Sequence, residues 1–310
     1  MSKNYQTIET SLNKEVVGIT LPTAFEVYTK HLFGEKRYNI FCKGLQQSSP
    51  VSIRINPFKT NKTTQVADNF VPTHVAWCAE GFYLNSRPNF TFDPLFHAGA
   101  YYVQEASSMF LSHVLRHLVK KPVALLDLCA APGGKTTCAR TAISDGSIVF
   151  SNEPINKRAQ ILAENVQKFG HSDVVVTNNF PRDYKKSKLE FDVIVADVPC
   201  SGEGMFRKDP QAIAEWSEQN VENCWKLQRS IIADIWDKLK PGGLLIYSTC
   251  TFNAHENEEN IAWILSQYDA KLLEVPTEST WNITGSLIEN PLNEGQPFPV
   301  YRFIPGFTQG

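Results

Sequence analysis

The sequence lacks the cysteine pattern of a disulfide-stapled or zinc-binding domain. Its seven cysteines are an odd number, and no two of them are separated by only two residues. A disulfide framework needs an even set, and zinc ribbons and knuckles need closely spaced pairs. We therefore expect free thiols, no metal site and a reducing, cytoplasmic environment.

Long hydrophobic runs and a large net charge are also missing. No apolar stretch is long enough to span a bilayer, and the polar first 15 residues contain no hydrophobic segment typical of a signal peptide. The formal net charge is −2, so the chain as a whole is not a polycation. These features argue against a membrane protein and against a uniformly basic nucleic-acid binder.

The charge is nevertheless unevenly distributed. Residues 1–121 contain 13 Lys and Arg against 8 Asp and Glu, whereas residues 122–310 contain 17 against 24. A basic first part suggests that a polyanion docks there, with Arg54 and Lys59 as candidate contacts. Ordinary variation in surface composition explains the same asymmetry equally well.

The pattern of the sequence divides the chain near residue 120. Residues 1–120 contain two amphipathic helical patterns, at 21–34 and 37–44, and the alternating strand VSIRIN, which predicts a smaller N-terminal α+β domain. Residues 80–105 are rich in aromatic residues and turn formers, as in a folded linker or a surface that stacks bases. Residues 1–19 are polar, and we expect them to be loosely ordered.

Strands and helices alternate over residues 121–310. The predicted strands are VALLDL, SIVFSNE, VVVT, FDVIVADVP, LLIYSTC and KLLEV, with PGG as the turn into the fifth. This βαβ series predicts an α/β domain with a parallel, doubly wound, Rossmann-like sheet. Ligands of such sheets bind beyond the carboxyl ends of the strands, where the motifs described next all fall.

The first strand runs into a glycine-rich segment, DLCAAPGGKT. Gly133 and Gly134 let the backbone approach a ligand, and the next helix offers free N–H groups at its start. The rival interpretation is a phosphate-binding P-loop, because GGKT resembles its end. Cys129 stands where that loop needs its first glycine, and Pro132 lacks an N–H. An adenosyl ligand is therefore favoured over a nucleoside triphosphate.

The next two strand ends carry polar residues that suit an adenosyl ligand. Glu153 follows the second strand at about the distance from the glycine-rich loop where an acidic residue accepts hydrogen bonds from ribose hydroxyls. A glutamate near a helix start also suits the helix dipole. Asn178 and Asn179 end the third strand, and Asn179 is the candidate contact for adenine.

The strongest signal is a pair of cysteines at the ends of the fourth and fifth strands. Cys200 follows Asp197 in DVPCSGEG, and Cys250 ends STC. These strands are normally neighbours, so both thiols are expected to face one pocket. A lone buried cysteine is usually a small core residue, and a disulfide between the two is a second alternative. Two thiols at strand ends favour catalysis.

Such a pair suits methylation of a cytosine at C5. A thiolate that adds to C6 makes C5 nucleophilic, which is covalent catalysis. Asp197 is the candidate acid near N3, as a protonated or proton-sharing carboxyl. A base must then remove the C5 proton, and the target nucleotide must be unpaired or flipped out.

Three segments, DLCAAPGGKT, DVPCSGEGMFRK and YSTCTFNAHENE, resemble the diagnostic motifs of the Nop/Sun-type RNA cytosine-5 methyltransferases. LPTAFEVYTKHLFG, VSIRINPFK and residues 81–110 also resemble the bacterial RsmF (YebU-like) branch. The resemblance covers nearly the whole chain from about residue 21. It implies a class I methyltransferase fold, S-adenosylmethionine as cofactor and RNA as partner, with small-subunit rRNA favoured and tRNA as the alternative.

The resemblance also implies roles for individual residues. Cys250 would be the nucleophile, Cys200 would aid product release, and Asp197 would lie between cofactor and base. Glu153 would contact the cofactor's ribose. The other cofactor contacts would be Cys129, Ala130, Ala131, Pro132, Gly133, Gly134 and Lys135. Because DNA enzymes attack from the Pro-Cys position, the presence of both cysteines favours RNA.

The chain departs from the family pattern at two places. The family usually has an aspartate near the end of the third strand, where this chain has TNNF. Relatives also continue beyond YRFIPGFTQG into a Gly-Phe-Phe strand, so we expect a methyltransferase domain over 121–310 that is truncated at its C-terminal end. We expect a monomer. The alternative function is an RNA-binding assembly factor without turnover, against which the intact Cys250, Cys200, Asp197 and Lys135 argue.

Overall fold

The computed structural model describes residues 19–60, 73–290, 292, 295 and 298–308. The expectation of loose order over residues 1–19 falls outside this part of the chain, except for residue 19. The helices are α1 (Thr23–Phe33), α2 (Glu35–Leu45), α3 (Pro94–His97), α4 (Phe110–Leu118), α5 (Gly134–Ala142), α6 (Asn156–Phe169), α7 (Pro210–Glu215), α8 (Glu218–Ile235) and α9 (Glu258–Gln267). The strands are β1 (Val51–Ile55), β2 (Thr73–His74), β3 (Gly81–Leu84), β4 (Tyr101–Val103), β5 (Ala124–Asp127), β6 (Ile148–Asn152), β7 (Val174–Thr177), β8 (Phe191–Asp197) and β9 (Leu239–Ser248).

The larger sheet has the order β7-β6-β5-β8-β9, and all of its neighbouring strands are parallel. The chain first builds outward from β5 to β7 and then crosses back to add β8 and β9 on the other side. Doubly wound sheets bind their ligands at the carboxyl ends of the strands, at the point where the winding reverses. The predicted Rossmann-like fold class is confirmed, and the switch point lies between β5 and β8.

Helices cover both faces of this sheet, which explains why its central strands are almost wholly apolar. Along β8, Val193 and Val195 face α4 and α5, whereas Ile194 and Ala196 face α8. A strand buried on both faces needs apolar residues at successive positions rather than at alternate ones. The continuous hydrophobic runs read from the sequence arise from this two-sided burial.

The smaller sheet is antiparallel, with the order β2-β3-β1-β4, and lies within the first 103 residues together with α1, α2 and α3. Its α+β character is as predicted from the sequence. Helix α1 does not stay within this part, because Phe25 packs edge-on against Phe206. Phe41 of α2 packs in the same way against Phe252. The N-terminal helices therefore support the loops that carry both strand-end cysteines.

The aromatic segment between β3 and β4 folds mainly onto itself. Phe90 and Phe96 pack near Tyr101, whose hydroxyl donates a hydrogen bond to Asp93. Phe92 is the exception, with 82% of its surface exposed. Most of these rings thus serve the core of the N-terminal part.

Arg54 does not lie on the surface, so its predicted role as an RNA contact is wrong. The side chain is 1% exposed, and its guanidinium donates hydrogen bonds to Gln104 Oε1 at 2.8 Å and Thr137 Oγ1 at 2.6 Å. A buried guanidinium must satisfy its donors within the protein. The bond to Thr137 joins β1 to α5. Lys59, the other candidate, is exposed and donates to the backbone oxygens of Ala98 and Lys168.

Two elements near the fifth strand differ from the prediction. Residues 271–275, predicted as a strand, do not form one. A strand needs a neighbour with which it forms hydrogen bonds. Among the described residues, β9 pairs only with β8, so no strand lies along its other edge. The PGG sequence, predicted as a turn, lies inside β9 where the register against β8 shifts between Phe191 and Val193. Gly242 adopts φ +74° there, which permits the irregularity without leaving the strand.

No helix within the described ranges is both long and apolar enough to cross a lipid bilayer.

A buried ion pair ties the last described segment to the loop after β9. Arg302 pairs through Nε and Nη2 with Glu258, and its Nη1 donates to Phe252 O at 2.6 Å. The two side chains are only 6% and 0% exposed. Each charge therefore depends on the other for its solvation.

We predict that Arg302→Met lowers the free energy of unfolding by about 3–5 kcal/mol, because it leaves the Glu258 carboxylate buried without its partner. Urea denaturation measures this change. The double variant Arg302→Met/Glu258→Met should recover much of the loss. As a control, Lys226→Met breaks the exposed pair with Glu222 and should leave stability nearly unchanged. Equal effects of the two single variants would contradict the importance of the buried pair.

Candidate active site

The parallel pairing of β8 with β9 brings the two strand-end cysteines together. Asp197 stands opposite Ser248 in this register, and each chain then leaves the sheet in the same direction. Cys200 Sγ and Cys250 Sγ lie 3.0 Å apart. Cys250 is exposed and Cys200 is half-buried, so neither sulfur belongs to the hydrophobic interior. All seven cysteines, which fall within the described ranges, are free thiols.

The hydrogen bonds around the sulfurs make the two thiols chemically unequal. The backbone N–H of Cys250 donates to Cys200 Sγ at 3.3 Å, and the bond between the two sulfurs makes their acidities unequal when the S–H of Cys200 donates to Cys250 Sγ. This S–H donation lowers the pKa of Cys250 despite the opposing effects of burial and of the Asp197 carboxylate, and the charge of Lys135 also lowers it. The same bond, together with burial, raises the pKa of Cys200 well above its usual value. Cys250 is therefore the better thiolate and Cys200 the better proton holder.

A lysine–aspartate pair lies beside the thiols. Lys135 Nζ is 2.8 Å from Asp197 Oδ2, and Ser248 Oγ donates to Asp197 Oδ1 at 2.7 Å. Burial alone would lower the pKa of Lys135, but the attraction and hydrogen bond of Asp197 outweigh it, so the pKa is raised. Lys135 is therefore a fixed cation near Cys250, and both Asp197 oxygens accept hydrogen bonds.

The glycine-rich loop connects β5 to α5 with the backbone close to its neighbours. Gly133 caps the start of α5 at φ +110°, a conformation that favours glycine. A side chain at Gly134 would begin 3.3 Å from the ring of Tyr102. Burial raises the pKa of Cys129 to about 12, so this thiol is unsuited to nucleophilic attack.

Glu153 lies in a tight, buried position after β6. It is 1% exposed, and its Oε1 accepts the backbone N–H of Ile155 at 3.0 Å. Its Oε2 has no hydrogen-bond partner among the described residues, although Arg158 Nη2 lies 3.5 Å away as an ion-pair partner. A buried carboxylate oxygen without a donor is costly, and a ligand hydroxyl would satisfy it.

Asn179 lies at the same edge, next to β6. Its backbone N–H donates to Asn152 Oδ1 at 3.1 Å, and Asn152 Nδ2 donates to its carbonyl at 2.9 Å. Asn178 is tied in the same way, through Nδ2, to the carbonyl of Glu153 at 2.6 Å. These bonds hold the ends of β6 and β7 together, and the role of Asn179 at adenine stays a prediction.

Sequence reasoning missed several polar residues beneath the two cysteines. Glu203 and Glu256 are buried there, together with Asn253 and Gln228. The two glutamates lie inside the very segments DVPCSGEG and AHENE that carry the motifs, so charged residues at these strand ends were an available signal. Gln228 lies in the middle of α8, and nothing in the sequence distinguishes it from a surface glutamine.

Asp127, the last residue of β5, is a second missed group. It is fully buried, its Oδ2 accepts the hydroxyl of Thr136 at 2.6 Å, and its Oδ1 has no partner among the described residues. Burial raises the pKa of Asp127 to about 7. In the described parts of the chain no group of histidine, cysteine or acidic side chains is arranged to hold a metal ion.

We predict that the stability of the protein depends on pH through Asp127. Its pKa is raised in the folded state, so its contribution to stability is full below its unfolded pKa near 3.8 and is lost as pH rises through about 7. Asp127→Asn resembles the protonated form, and its advantage in free energy of unfolding over the natural protein should grow as pH rises from about 4 to about 7 and then level off.

Urea denaturation across this pH range measures the difference. Asp145→Asn, at a fully exposed position, is the control and should show no such trend. A constant difference between Asp127→Asn and the natural protein would mean that Asp127 does not titrate in this range.

Comparison with known proteins identifies two matching family profiles. The one described as 16S rRNA methyltransferase RsmB/F matches residues 118–305, and the N-terminal domain of 16S rRNA methyltransferase RsmF matches residues 21–106. The ribosomal RNA small subunit methyltransferase F of Pectobacterium atrosepticum is 36% identical over 74% of this chain and 49% of its own length. The protein of the same name from Cronobacter sakazakii is 34% identical over 81% of this chain and 54% of its own. The chain thus spans about half the length of the curated relatives it matches.

Solved structures agree with the fold. A methyltransferase homologue from Pyrococcus horikoshii is 27% identical, with a TM-score of 0.72 over 84% of this chain and 83% of its own. NSun6 from the same organism superposes with a TM-score of 0.77 over 93% of this chain and 95% of its own, and at 20% identity it bears on the fold alone.

The profile match over residues 118–305 covers more than half of the chain and includes the glycine-rich loop and both cysteine motifs. We conclude that this chain belongs to the 16S rRNA methyltransferase RsmB/F family.

Proposed function

We propose that the chain is an S-adenosylmethionine-dependent RNA cytosine-C5 methyltransferase that acts on small-subunit rRNA through a covalent cysteine intermediate. The observation that carries this proposal is the pair of sulfurs 3.0 Å apart, beside the Lys135–Asp197 ion pair. One thiol favours the anion and the other keeps its proton, as a nucleophile and an assisting acid require. The family membership of the chain supports the same reaction.

The residues at the switch point fit an adenosyl cofactor. The unsatisfied Glu153 Oε2 suits a ribose hydroxyl, and the start of α5 after Gly133 suits a carboxylate. We assign the segment from Cys129 to Lys135, together with Glu153, Asn179 and Asp197, to cofactor binding. When bound, S-adenosylmethionine would supply the methyl group that C5 receives.

Catalysis begins with Cys250 in this proposal. Its thiolate adds to C6 of an unpaired cytosine, a carbon–sulfur bond forms, and the C5–C6 double bond opens so that electron density reaches C5. Lys135 keeps a positive charge near the sulfur, which favours the thiolate before attack. The exposure of Cys250 allows a flipped-out base to reach it.

Asp197 and Lys135 handle the charge that develops on the ring. Asp197 was expected to act as a protonated or proton-sharing carboxyl, and this stays a prediction. With both of its oxygens accepting hydrogen bonds, the shared proton rests on Lys135 Nζ, which would keep it and offer N3 a hydrogen bond as charge develops on the ring. The carboxylate thus orients the ammonium group.

Cys200 is assigned to product release. Once a general base takes the proton from C5, the electron pair of that C–H bond re-forms the C5–C6 double bond, the C6–S bond breaks and Cys250 leaves as a thiolate. Cys200 Sγ lies 3.0 Å from Cys250 Sγ and keeps its proton. The S–H of Cys200 can therefore donate a hydrogen bond to Cys250 Sγ as that sulfur leaves C6 as a thiolate.

The remaining assignments concern organisation and partners. We propose an RNA-recognition region over residues 1–120 and a methyltransferase domain over 121–310, acting as a monomer in the cytoplasm. The names of the relatives support ribosomal RNA, and tRNA remains the alternative substrate. Lys59 is kept as an RNA contact, and Arg54 is not. Neither metal nor membrane has a part in the proposal.

We predict that Cys250→Ala reduces methyl transfer to unmodified small-subunit rRNA by about 10³-fold or more, because the nucleophile is lost. Cofactor binding should survive. Cys200→Ala should instead trap a protein–RNA adduct that persists on a denaturing gel. The pH needed for adduct formation should also rise, since Cys250 loses its hydrogen-bond donor.

Cys224→Ala, which changes a thiol of α8 outside the site, serves as the control and should methylate normally. Methylation by Cys250→Ala at nearly the natural rate would overturn the mechanism. A natural protein that binds cofactor and RNA without any turnover would instead favour the assembly-factor alternative.

We predict that S-adenosylmethionine binds and that ATP does not, as isothermal titration calorimetry can measure. Glu153→Gln should weaken cofactor binding by about tenfold, because the amide replaces one acceptor with a donor that opposes the ribose hydroxyl. Glu164→Gln, at an exposed position of α6, is the matched control. Binding of ATP in place of the cofactor would restore the P-loop interpretation.

A further inference from the structure

Two buried carboxylates connect the loops that carry the active-site cysteines. We call residues 198–204 the Pro-Cys loop and residues 249–257 the Thr-Cys loop. Glu203 of the first loop is 1% exposed, and its Oε2 accepts the backbone N–H groups of Phe252 and Asn253, at 2.7 and 2.9 Å, in the second. A carboxylate of one loop thus binds the backbone that follows Cys250.

The reverse contact is also present. Glu256 of the Thr-Cys loop is 0% exposed, and its Oε2 accepts the backbone N–H of Ser201 at 3.0 Å, directly after Cys200. Gln228 Nε2 of α8 donates to the same oxygen at 2.7 Å. The backbone N–H groups that follow each cysteine in the chain therefore donate hydrogen bonds to a carboxylate of the other loop.

A single side chain joins the two carboxylates. Asn253 Nδ2 donates to Glu203 Oε1 at 3.0 Å and to Glu256 Oε1 at 2.8 Å. Two further bonds cross between the loops: Gly204 N–H donates to Cys250 O at 2.7 Å, and the hydroxyls of Ser201 and Thr251 lie 3.1 Å apart. The loops are thus joined at several points around the sulfur pair.

Burying two carboxylates costs more than burying apolar side chains of the same size. Phe252 of the Thr-Cys loop, and Phe206 just after the Pro-Cys loop, pack against the N-terminal helices. Apolar contacts therefore already help to hold both loops in place. The hydrogen bonds of the two carboxylates also fix the position of one loop relative to the other, because each carboxylate oxygen needs its donors at hydrogen-bond distance. A displacement of either loop would leave a buried charge without its donors.

We propose that Glu203 and Glu256 are positioning residues that fix the distance between Cys200 Sγ and Cys250 Sγ, and thereby keep the two thiols within hydrogen-bond distance of each other. The geometric claim stands on these contacts, and its consequence for methyl transfer rests on the proposed function. Neither glutamate is required to touch cofactor or RNA.

The test replaces each glutamate with glutamine, which keeps the shape but puts an NH2 group where an oxygen accepts hydrogen bonds. Both oxygens of Glu203 accept two donors each, since Oε1 also receives Trp216 Nε1 at 3.2 Å. In either orientation of the Glu203→Gln amide, the new NH2 group therefore faces two N–H donors and cannot accept their hydrogen bonds. Glu256→Gln has the same conflict at both of its oxygens.

The first measurement is the pH profile of alkylation of Cys250 by iodoacetamide, followed by mass spectrometry of the individual cysteines. We expect Glu203→Gln to move the midpoint upward by about one pH unit, since the Cys200 donor moves away, and Glu256→Gln to move it upward by less, because the lost charge of Glu256 itself raises the pKa of Cys250. The second is the rate at which oxidised glutathione converts the pair to a disulfide, which should fall about tenfold. Neither measurement needs RNA or cofactor.

Glu259→Gln is the matched control, because Glu259 is only half-buried, lies just beyond the Thr-Cys loop and pairs with His255. Circular dichroism identifies any variant that does not fold, and Asn253→Ser, which removes the shared donor but keeps both carboxylates, then carries the test. Folded variants with an unchanged Cys250 profile and disulfide rate would overturn the proposal, as would an equal shift in Glu259→Gln. Thiol shifts in a protein without methyl transfer would support the positioning role and count against the proposed function alone.

Discussion

The parallel register between β8 and β9 is the constraint on which the site depends. It sets Asp197 opposite Ser248, so the two residues share a hydrogen bond and the loops after them start side by side. Cys200 and Cys250 follow at nearly equal distances from this pair, which brings their sulfurs to 3.0 Å. A slip of one residue would move each side chain of β9 to the opposite face of the sheet. Such a slip would break the hydrogen bond that Ser248 Oγ donates to Asp197 Oδ1.

Desolvation gives the site its chemical character. The carboxyl edge of the sheet gathers several acidic groups, most of them buried, and three of these groups are stabilised by specific donors. Asp197 has Lys135, whereas Glu203 and Glu256 have backbone and amide N–H groups. Lys135 pairs with Asp197, and its charge also lowers the pKa of Cys250, so one cation acts on both groups. The N-terminal helices add apolar cover through Phe25 and Phe41.

Much of the fold and part of the site could be predicted from the sequence. The five strands of the parallel sheet were recognisable as apolar runs, although the glycines of PGG, predicted as a turn, lie inside β9. The predicted neighbourhood of Cys200 and Cys250 followed from the strand order alone. The strand predicted at 271–275 failed because hydrophobic pattern does not reveal whether a pairing neighbour exists. Arg54 was misjudged because a formal charge in a strand gives no sign of the buried acceptors it meets.

What the sequence determined by itself was therefore the order of the elements and the chemistry available at each strand end, since both follow from local pattern and residue type. Tertiary structure alone decided which groups would be desolvated and which donors they would meet. The inequality of the two thiols, the raised pKa of Asp127 and the cross-linking of the cysteine loops by Glu203 and Glu256 all belong to this second class. The physical reason is that hydrogen-bond geometry and burial are set by residues far apart in the chain, whose distances only the folded structure defines.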